Sequence, residues 1–196
     1  MRLMSRRALP AAAVALGLAV SACGSGDDSS HGPMAGAGGT SASAGTATGV
    51  EADVKFAQMM IPHHEQAVEM ATLALENDTA SEDVKTLARQ IEAAQDPEIQ
   101  TMKGWLSQWG AEESSGPMDH GSGGMMSDED MISLMGARGP EFNQMWLTMM
   151  IEHHEGAVTM AKDVLATTAD TEVEELATAV VQGQEKEIAT MQGMLG

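Results

Sequence analysis

Between residues 50 and 196 apolar side chains recur every three or four positions in four successive stretches, the spacing of helices that each bury one face. Placing residues about 100° apart around the first helix sets Phe56, Met59, Met60, Ala67, Met70 and Ala74 on the same side as His63. His64 falls at the edge of that face, while Glu65 and Glu69 point away from it. The third stretch repeats the arrangement with Met149, Met150, His153 and Met160. On the second, the apolar stripe runs Leu87, Ile91, Ala94, Met102, Trp105 and Trp109, with Glu98 at its centre and Gln95 beside it. The fourth has Leu176, Val180, Gly183, Met191 and Met194 around Glu187, flanked by Gln184. Stops are expected at Asn77-Asp78 and from Thr167 to Asp170. Restarts are expected at Ser81 and at the capping-box pattern Thr171 to Glu174.

The four stretches are two copies of one unit. Phe56 to Ala71 returns as Trp146 to Ala161, shifted by 90 positions, and Gln95 to Leu106 returns as Gln184 to Leu195, shifted by 89. Each unit is helix, short loop, helix, and a short loop makes the two helices antiparallel neighbours. The expected fold is therefore all-α, a four-helix bundle made of two duplicated hairpins. The first hairpin is expected over 50–110 and the second over 128–196, joined by a Met/His/Gly linker at 111–127. Ser127 to Asp130 is expected to open a short extra helix before Gly136 to Pro140 turns the chain. Only five aromatic residues and no tyrosine occur in the chain, which argues against a sheet.

What precedes the bundle reads as targeting. Arg2, Arg6 and Arg7 stand before the apolar run Ala8 to Val20, so residues 1–22 have the character of a signal peptide, and the run is short for a membrane span. It ends at Val20-Ser21-Ala22-Cys23, a lipobox-like sequence in which Cys23, the single cysteine, would carry the lipid and start the mature chain. The Gly/Ser/Ala/Thr-rich residues 23–49 read as a flexible tether. The expectation is export and anchoring to the outer face of the cell membrane. A bundle without cysteine has no disulfide, thiolate ligand or cysteine nucleophile. The full chain has a formal charge of −19, which loss of the three leader arginines makes more negative. Nucleic acid is a poor partner for it.

The chemistry lies on the inward faces. A carboxylate within an apolar stripe is costly unless paired or bound to a cation, and Glu98 and Glu187 stand there in both units. The expectation is that they meet His63 and His153 at a metal ion. Imidazole is the commonest metal ligand, and thioether is a soft donor that favours Cu(I) over magnesium or calcium. Met59, Met60, Met70, Met102, Met149, Met150, Met160 and Met191 supply thioethers around them. A methionine at helical spacing is also ordinary core filler. His31, Met34, Met118, His120, Met125 and Met126 lie in the two linkers, where Met/His tracts either capture metal or serve as plain tether. Pro62, inside the first helix, removes a hydrogen bond to Gln58, and Glu152 replaces it in the second copy.

The paired His63-His64-Glu65 and His153-His154-Glu155 segments in their methionine-rich context, with Gln95 to Met102 and Gln184 to Met191, resemble the bacterial family called domain of unknown function 305. The resemblance implies a ferritin-like helical fold in an exported or lipid-anchored protein. A member of that family binds copper through methionine and histidine, which implies a similar role here for Met59, Met60, His63, His64 and Met70 and for Met149, Met150, His153, His154 and Met160. The ferritin likeness also raises a di-iron carboxylate centre, but such a site needs Glu-x-x-His, a spacing absent from this chain. The zinc-protease spacing His-Glu-x-x-His is absent too, and no nucleophile and base pair supports hydrolysis. Three readings stay open: a copper buffer or delivery protein using Cu(I), a metalloenzyme with a His/Glu redox centre, and a metal-free structural bundle.

Overall fold

A computed structural model describes residues 43–113 and 123–196. Five helices follow one another: α1 (Ser43–Glu76), α2 (Glu82–Trp109), α3 (Asp128–Gly136), α4 (Gly139–Leu165) and α5 (Thr171–Leu195). α1 packs along α2 and α4 along α5, and the two hairpins meet through α1 and α4, with the short α3 lying against α4. The chain is thus the duplicated all-α bundle that its periodicity implies. Among the described residues no helix is long and apolar enough to cross a membrane. The leader, Cys23 and the linker residues His31, Met34, Met118 and His120 lie outside the described residues.

Local signals explain most of the boundaries. Ser81 caps α2 by accepting from the Val84 amide, and Gly110 closes that helix in the left-handed region at φ 66°, where a residue without Cβ is unstrained. Ser127 and Asp130 form a reciprocal capping box that opens α3, as expected. Two boundaries differ from the sequence reading. α1 begins at Ser43, inside the segment read as tether. α5 is capped by Asp170, whose carboxylate accepts from the Glu172 and Val173 amides, because aspartate competes well as an N-cap; Thr171 is the first helical residue.

Polar contacts fix one hairpin on the other. Asn143 Oδ1 accepts from the Ser81 amide at 3.0 Å, Thr79 Oγ1 accepts from the Gly139 amide at 2.7 Å, and the buried Trp146 indole donates to the Met70 carbonyl at 2.8 Å. Apolar burial divides into two clusters. One gathers Met70, Ala71, Leu87, Ile91, Leu134, Trp146, Met149, Met150 and Met191. The other gathers Phe56, Met60, Ile61, Ile99, Met102, Leu106, Ala161, Val173 and Val180.

The second and fourth stripes are rotated from the expected phase. Leu87, Ile91, Met102, Trp105, Val180 and Met191 are buried, but Ala94 and Gly183 are exposed. Gln95 and Gln184 take the inner positions instead. Ile91→Ala is expected to destabilise the protein by about 2–5 kcal/mol by opening a cavity, whereas Ala94→Lys should change stability by less than about 0.5 kcal/mol. Chemical denaturation of the two variants checks the helical phase, and the reverse order of effects would overturn it.

Candidate metal centre

All four helices of the bundle place polar side chains at one level. Along α1, Phe56, Ala57, Met60 and Ile61 belong to one apolar cluster and Ala67, Met70, Ala71 and Ala74 to the other; His63 and His64 fall between them. Along α4, His153 and His154 separate Met150 from Ala157 in the same way. On α2, Gln95 and Glu98 stand between Ile91 and Ile99, and on α5, Gln184 and Glu187 stand between Val180 and Met191. The core is therefore two apolar clusters parted by a polar layer, with two residues from each helix. Its four imidazoles and two amides are buried.

The carboxylates sit at the rim. Glu98 Oε2 accepts from His64 Nε2 at 2.8 Å and Glu187 Oε2 from His154 Nε2 at 2.8 Å, with the two glutamate side chains 21% and 20% exposed. This corrects the expected pairing with His63 and His153. A long charged side chain can leave its stem in the core and carry its head outward, so Glu98 reaches past the centre of the stripe to the edge histidine. His64, read from the sequence as an edge residue, is fully buried, and so is its counterpart His154.

His63 and His153 meet where α1 crosses α4. Their ring centroids are 3.7 Å apart with the planes inclined at 40°, and each lies farther from its sequence neighbour, at 6.5 Å from His64 and 6.3 Å from His154 respectively. His63 Nε2 donates to the Gly123 carbonyl at 2.8 Å. That carbonyl belongs to a strap, Gly123 to Met126, drawn across the helices. Gln66 holds the strap with both ends of its amide, donating to Met126 O at 2.9 Å and accepting from Met126 N at 2.8 Å. On α4 the strap crosses at Gly156, where a Cβ would run into the Gly123 carbonyl. Gln66 and Gly156 occupy equivalent positions in the two copies, so this is where the internal symmetry breaks. Sequence reasoning missed the strap; its trace was the glutamine-to-glycine difference inside a closely matched segment.

The methionines named from the sequence separate into two groups. Met60, Met70, Met102, Met150 and Met191 are fully buried and Met149 nearly so, while Met160 is half-buried and Met59 is 38% exposed. Met70 and Met149 pack in the apolar cluster around Trp146. Met60 and Met150 stand three and four residues before the paired histidines on the same helix, within a turn of both. Met59 lies with Met160 in a groove of about 180 Å³ between α1 and α4 that also contains Lys55 and Asp163.

Eight buried nitrogen and oxygen atoms in the polar layer have no hydrogen-bond partner: Nδ1 of His63, His64, His153 and His154, Nε2 of His153, both amide atoms of Gln95, and Oε1 of Gln184. A buried polar atom left unpaired costs about 1–3 kcal/mol, so so many at one level fit residues that ligate an ion. Neutral imidazole is the ligating form. Burial pushes the His63 ring down to about 3; the Gly123 hydrogen bond opposes that push, and His64 and His154 add to it. Burial, followed by His63, His154 and His64, holds His153 well below the ordinary imidazole range. Among the described residues no group of three or more His, Cys, Asp or Glu side chains could hold a metal ion.

The family model described as Domain of unknown function (DUF305) matches residues 53–195. A DUF305 fragment from Deinococcus radiodurans is 33% identical with a TM-score of 0.69, the match covering 74% of this chain and 95% of that one. A presumptively secreted DUF305 protein from Streptomyces coelicolor is 36% identical with a TM-score of 0.68, covering 74% and 90%. CopM in its Cu(II)-bound form is 31% identical with a TM-score of 0.65, covering 73% and 95%, and similar matches extend to its Cu(I)-bound and silver-bound forms. No curated protein sequence matches the chain.

The depressed histidines set a pH dependence for the metal-free protein. In the unfolded chain an imidazole takes up its proton near 6.5, whereas folded His63 does so only at about 3. Between these values the unfolded state binds more protons. The contribution to stability is therefore complete above about 6.5 and declines as the pH falls towards 3, by about 1.4 kcal/mol per pH unit for one ring. Asp53 acts in the opposite sense, since burial raises its carboxyl from 3.8, so its contribution is lost as pH rises above that value. Denaturation of the metal-free protein between about pH 7 and about pH 5 should show stability falling by about 2 kcal/mol or more. His63→Leu should make the slope shallower; an unchanged slope would mean that folded His63 titrates normally.

Proposed function

Because the chain belongs to the DUF305 family, we propose that it is an extracytoplasmic protein that binds copper, with Cu(I) as the favoured state, and buffers or delivers it at the cell envelope. The likeness to copper- and silver-bound CopM at 31–32% identity favours metal binding. The observation that carries the reading is the buried layer of unpartnered imidazole nitrogens with fully buried methionines one turn away. Such a set of neutral nitrogen and sulfur donors suits a soft monovalent ion and offers little to magnesium or calcium, which take oxygen ligands. Met60, His63, His64, Met102, Met150, His153, His154 and Met191 are the residues we assign to holding the metal.

What surrounds the donors favours buffering over catalysis. The thioethers lie within two apolar clusters and the imidazoles between them, in an interior that would shield Cu(I) from water. The carboxylates stand at the rim on histidine nitrogens rather than converging as a di-iron site requires. The acidic surface, with 29 Asp and Glu against 10 Lys and Arg, would raise the local concentration of cations before they enter. The likeness to a presumptively secreted relative agrees with a position outside the cytoplasm, and lipidation at Cys23 would fix the protein to the membrane there.

Mass-spectrometric titration under reducing conditions should show Ag(I) and Cu(I) binding to the folded protein, with no retention of Mg(II) or Ca(II). Folded protein without any Ag(I) adduct would refute the reading. The anchor is tested separately. Cys23→Ser should move the protein from the membrane fraction to the soluble one, and a normally processed variant that stays with the membrane would rule out lipidation at that residue.

A further inference from the structure

The two ends of the bundle are fastened in the same way but with different chemistry. At one end the start of α4 grips the loop before α2: Asn143 Oδ1 accepts from the Ser81 amide at 3.0 Å, and the Gly139 amide donates to Thr79 Oγ1 at 2.7 Å. The repeat sets Asp53 and Gly49, 90 positions earlier, against the loop before α5, where Thr168 and the N-cap Asp170 stand in place of Thr79 and Ser81. Gly49 does lie on that loop, since a Cβ there would stand 3.5 Å from the Thr167 carbonyl oxygen, and Asp53 hydrogen-bonds the Thr168 side chain. The neutral amide of one end is thus a carboxyl at the other, and the capping serine is a second acid.

The exchange leaves Asp53 short of donors. Asn143 takes the loop amide across the interface, whereas the Asp170 amide turns to Thr168 Oγ1 of its own loop at 3.1 Å. Asp53 is 2% exposed, and its Oδ1 is buried with no partner. A carboxylate there holds an uncompensated charge, which taking up a proton removes. The other charged groups nearby do not offset it. Glu51 and Lys55 stand two positions away on α1, so they project from other faces, and both are exposed. Asp163 of α4 lies with Lys55 in the adjoining groove, and Glu172 of α5 accepts from the Trp105 indole of α2 at 3.1 Å. Asp170 is left as the charge that acts on Asp53. Burial raises the Asp53 carboxyl above 3.8, the Thr168 hydrogen bond opposes this, and Asp170 adds to it.

We propose that Asp53 is a proton-operated catch between the hairpins: as a neutral carboxyl it fastens the first turns of α1 to the α4–α5 loop, and on ionising it releases them. These turns, from Ser43 onward, lead back towards Cys23. A helix rises about 1.5 Å per residue and an extended chain about 3.3–3.6 Å, so release lengthens the arm between the bundle and its N-terminal end. A divalent cation is the other way to offset two carboxylates, but among the described residues no group of three or more such ligands meets. The catch tightens in acid, opposite in sense to the buried histidines, and stands independently of the copper-binding reading.

Hydrogen exchange of the full chain, read as protection relative to the unstructured rate at each pH, tests it. The docked state binds the extra proton, so protection of residues 49–57 should fall as the pH rises above 3.8, by up to about tenfold per pH unit until the docked carboxyl is ionised. Residues 139–147, at the Asn143 end, should show no such fall. Asp53→Asn keeps the shape and takes no charge; it should hold residues 49–57 at one level across that range and protect them better than the parent at neutral pH. Asp170→Asn keeps the cap and removes the facing charge, so the fall should end at a lower pH. A parent with no fall would overturn the proposal, as would an Asp53→Asn chain, folded by circular dichroism, that follows the parent's course. Recovery of the parent's protection at neutral pH on adding Ca(II) would make the two carboxyls a cation site and overturn it as well.

Discussion

The constraint on which the rest depends is the burial of four imidazoles at one level of the bundle. Polar rings in an apolar interior are tolerated when they stay neutral and their hydrogens find acceptors. Three of the four meet that condition through one ring nitrogen each, on Glu98, Glu187 and the Gly123 carbonyl. The apolar clusters above and below the layer provide the packing that holds it in place. The same clusters keep solvent away from the ring nitrogens that have no partner.

Duplication built the layer, and the linker made it asymmetric. His63 and His153 occupy equivalent positions, yet His63 is tied through Nε2 to the strap while both nitrogens of His153 are free. The tie is held by side chains of opposite character, the Gln66 amide that grips Met126 from both sides and the missing Cβ of Gly156 that lets the strap lie close to α4. A connection between repeats thus takes part in the interior as well as joining the hairpins.

Much of this was legible in the sequence because helical periodicity and the repeat are strong signals. The hairpins, the extra helix at Ser127 and the inward placement of His63, His153, Met60 and Met150 follow from them. The partners of the glutamates did not. Residue phase on a helical wheel locates a Cβ, but Glu98 has three further bonds with which to carry its carboxylate to the rim, and there it meets His64 rather than His63. Phase also drifts when extrapolated over several turns, which exposes Ala94 and brings Gln95 inside. Met59 shows that copies of a repeat need not share an environment: its equivalent Met149 is buried in the cluster that also contains Met131 and Leu134 of α3, an element without a counterpart in the first hairpin. The strap had no periodicity to reveal it.

The difference at Gln66 and Gly156 also bears on how the protein can evolve. Two hairpins that began as copies could at first have been exchanged without consequence. Now a chain assembled from two first hairpins would set a glutamine side chain in the path of the strap, and one assembled from two second hairpins would have no amide to hold it. The halves have become committed to their order, and gene conversion between them, harmless in most repeats, would here erase the crossing on which the His63 hydrogen bond rests.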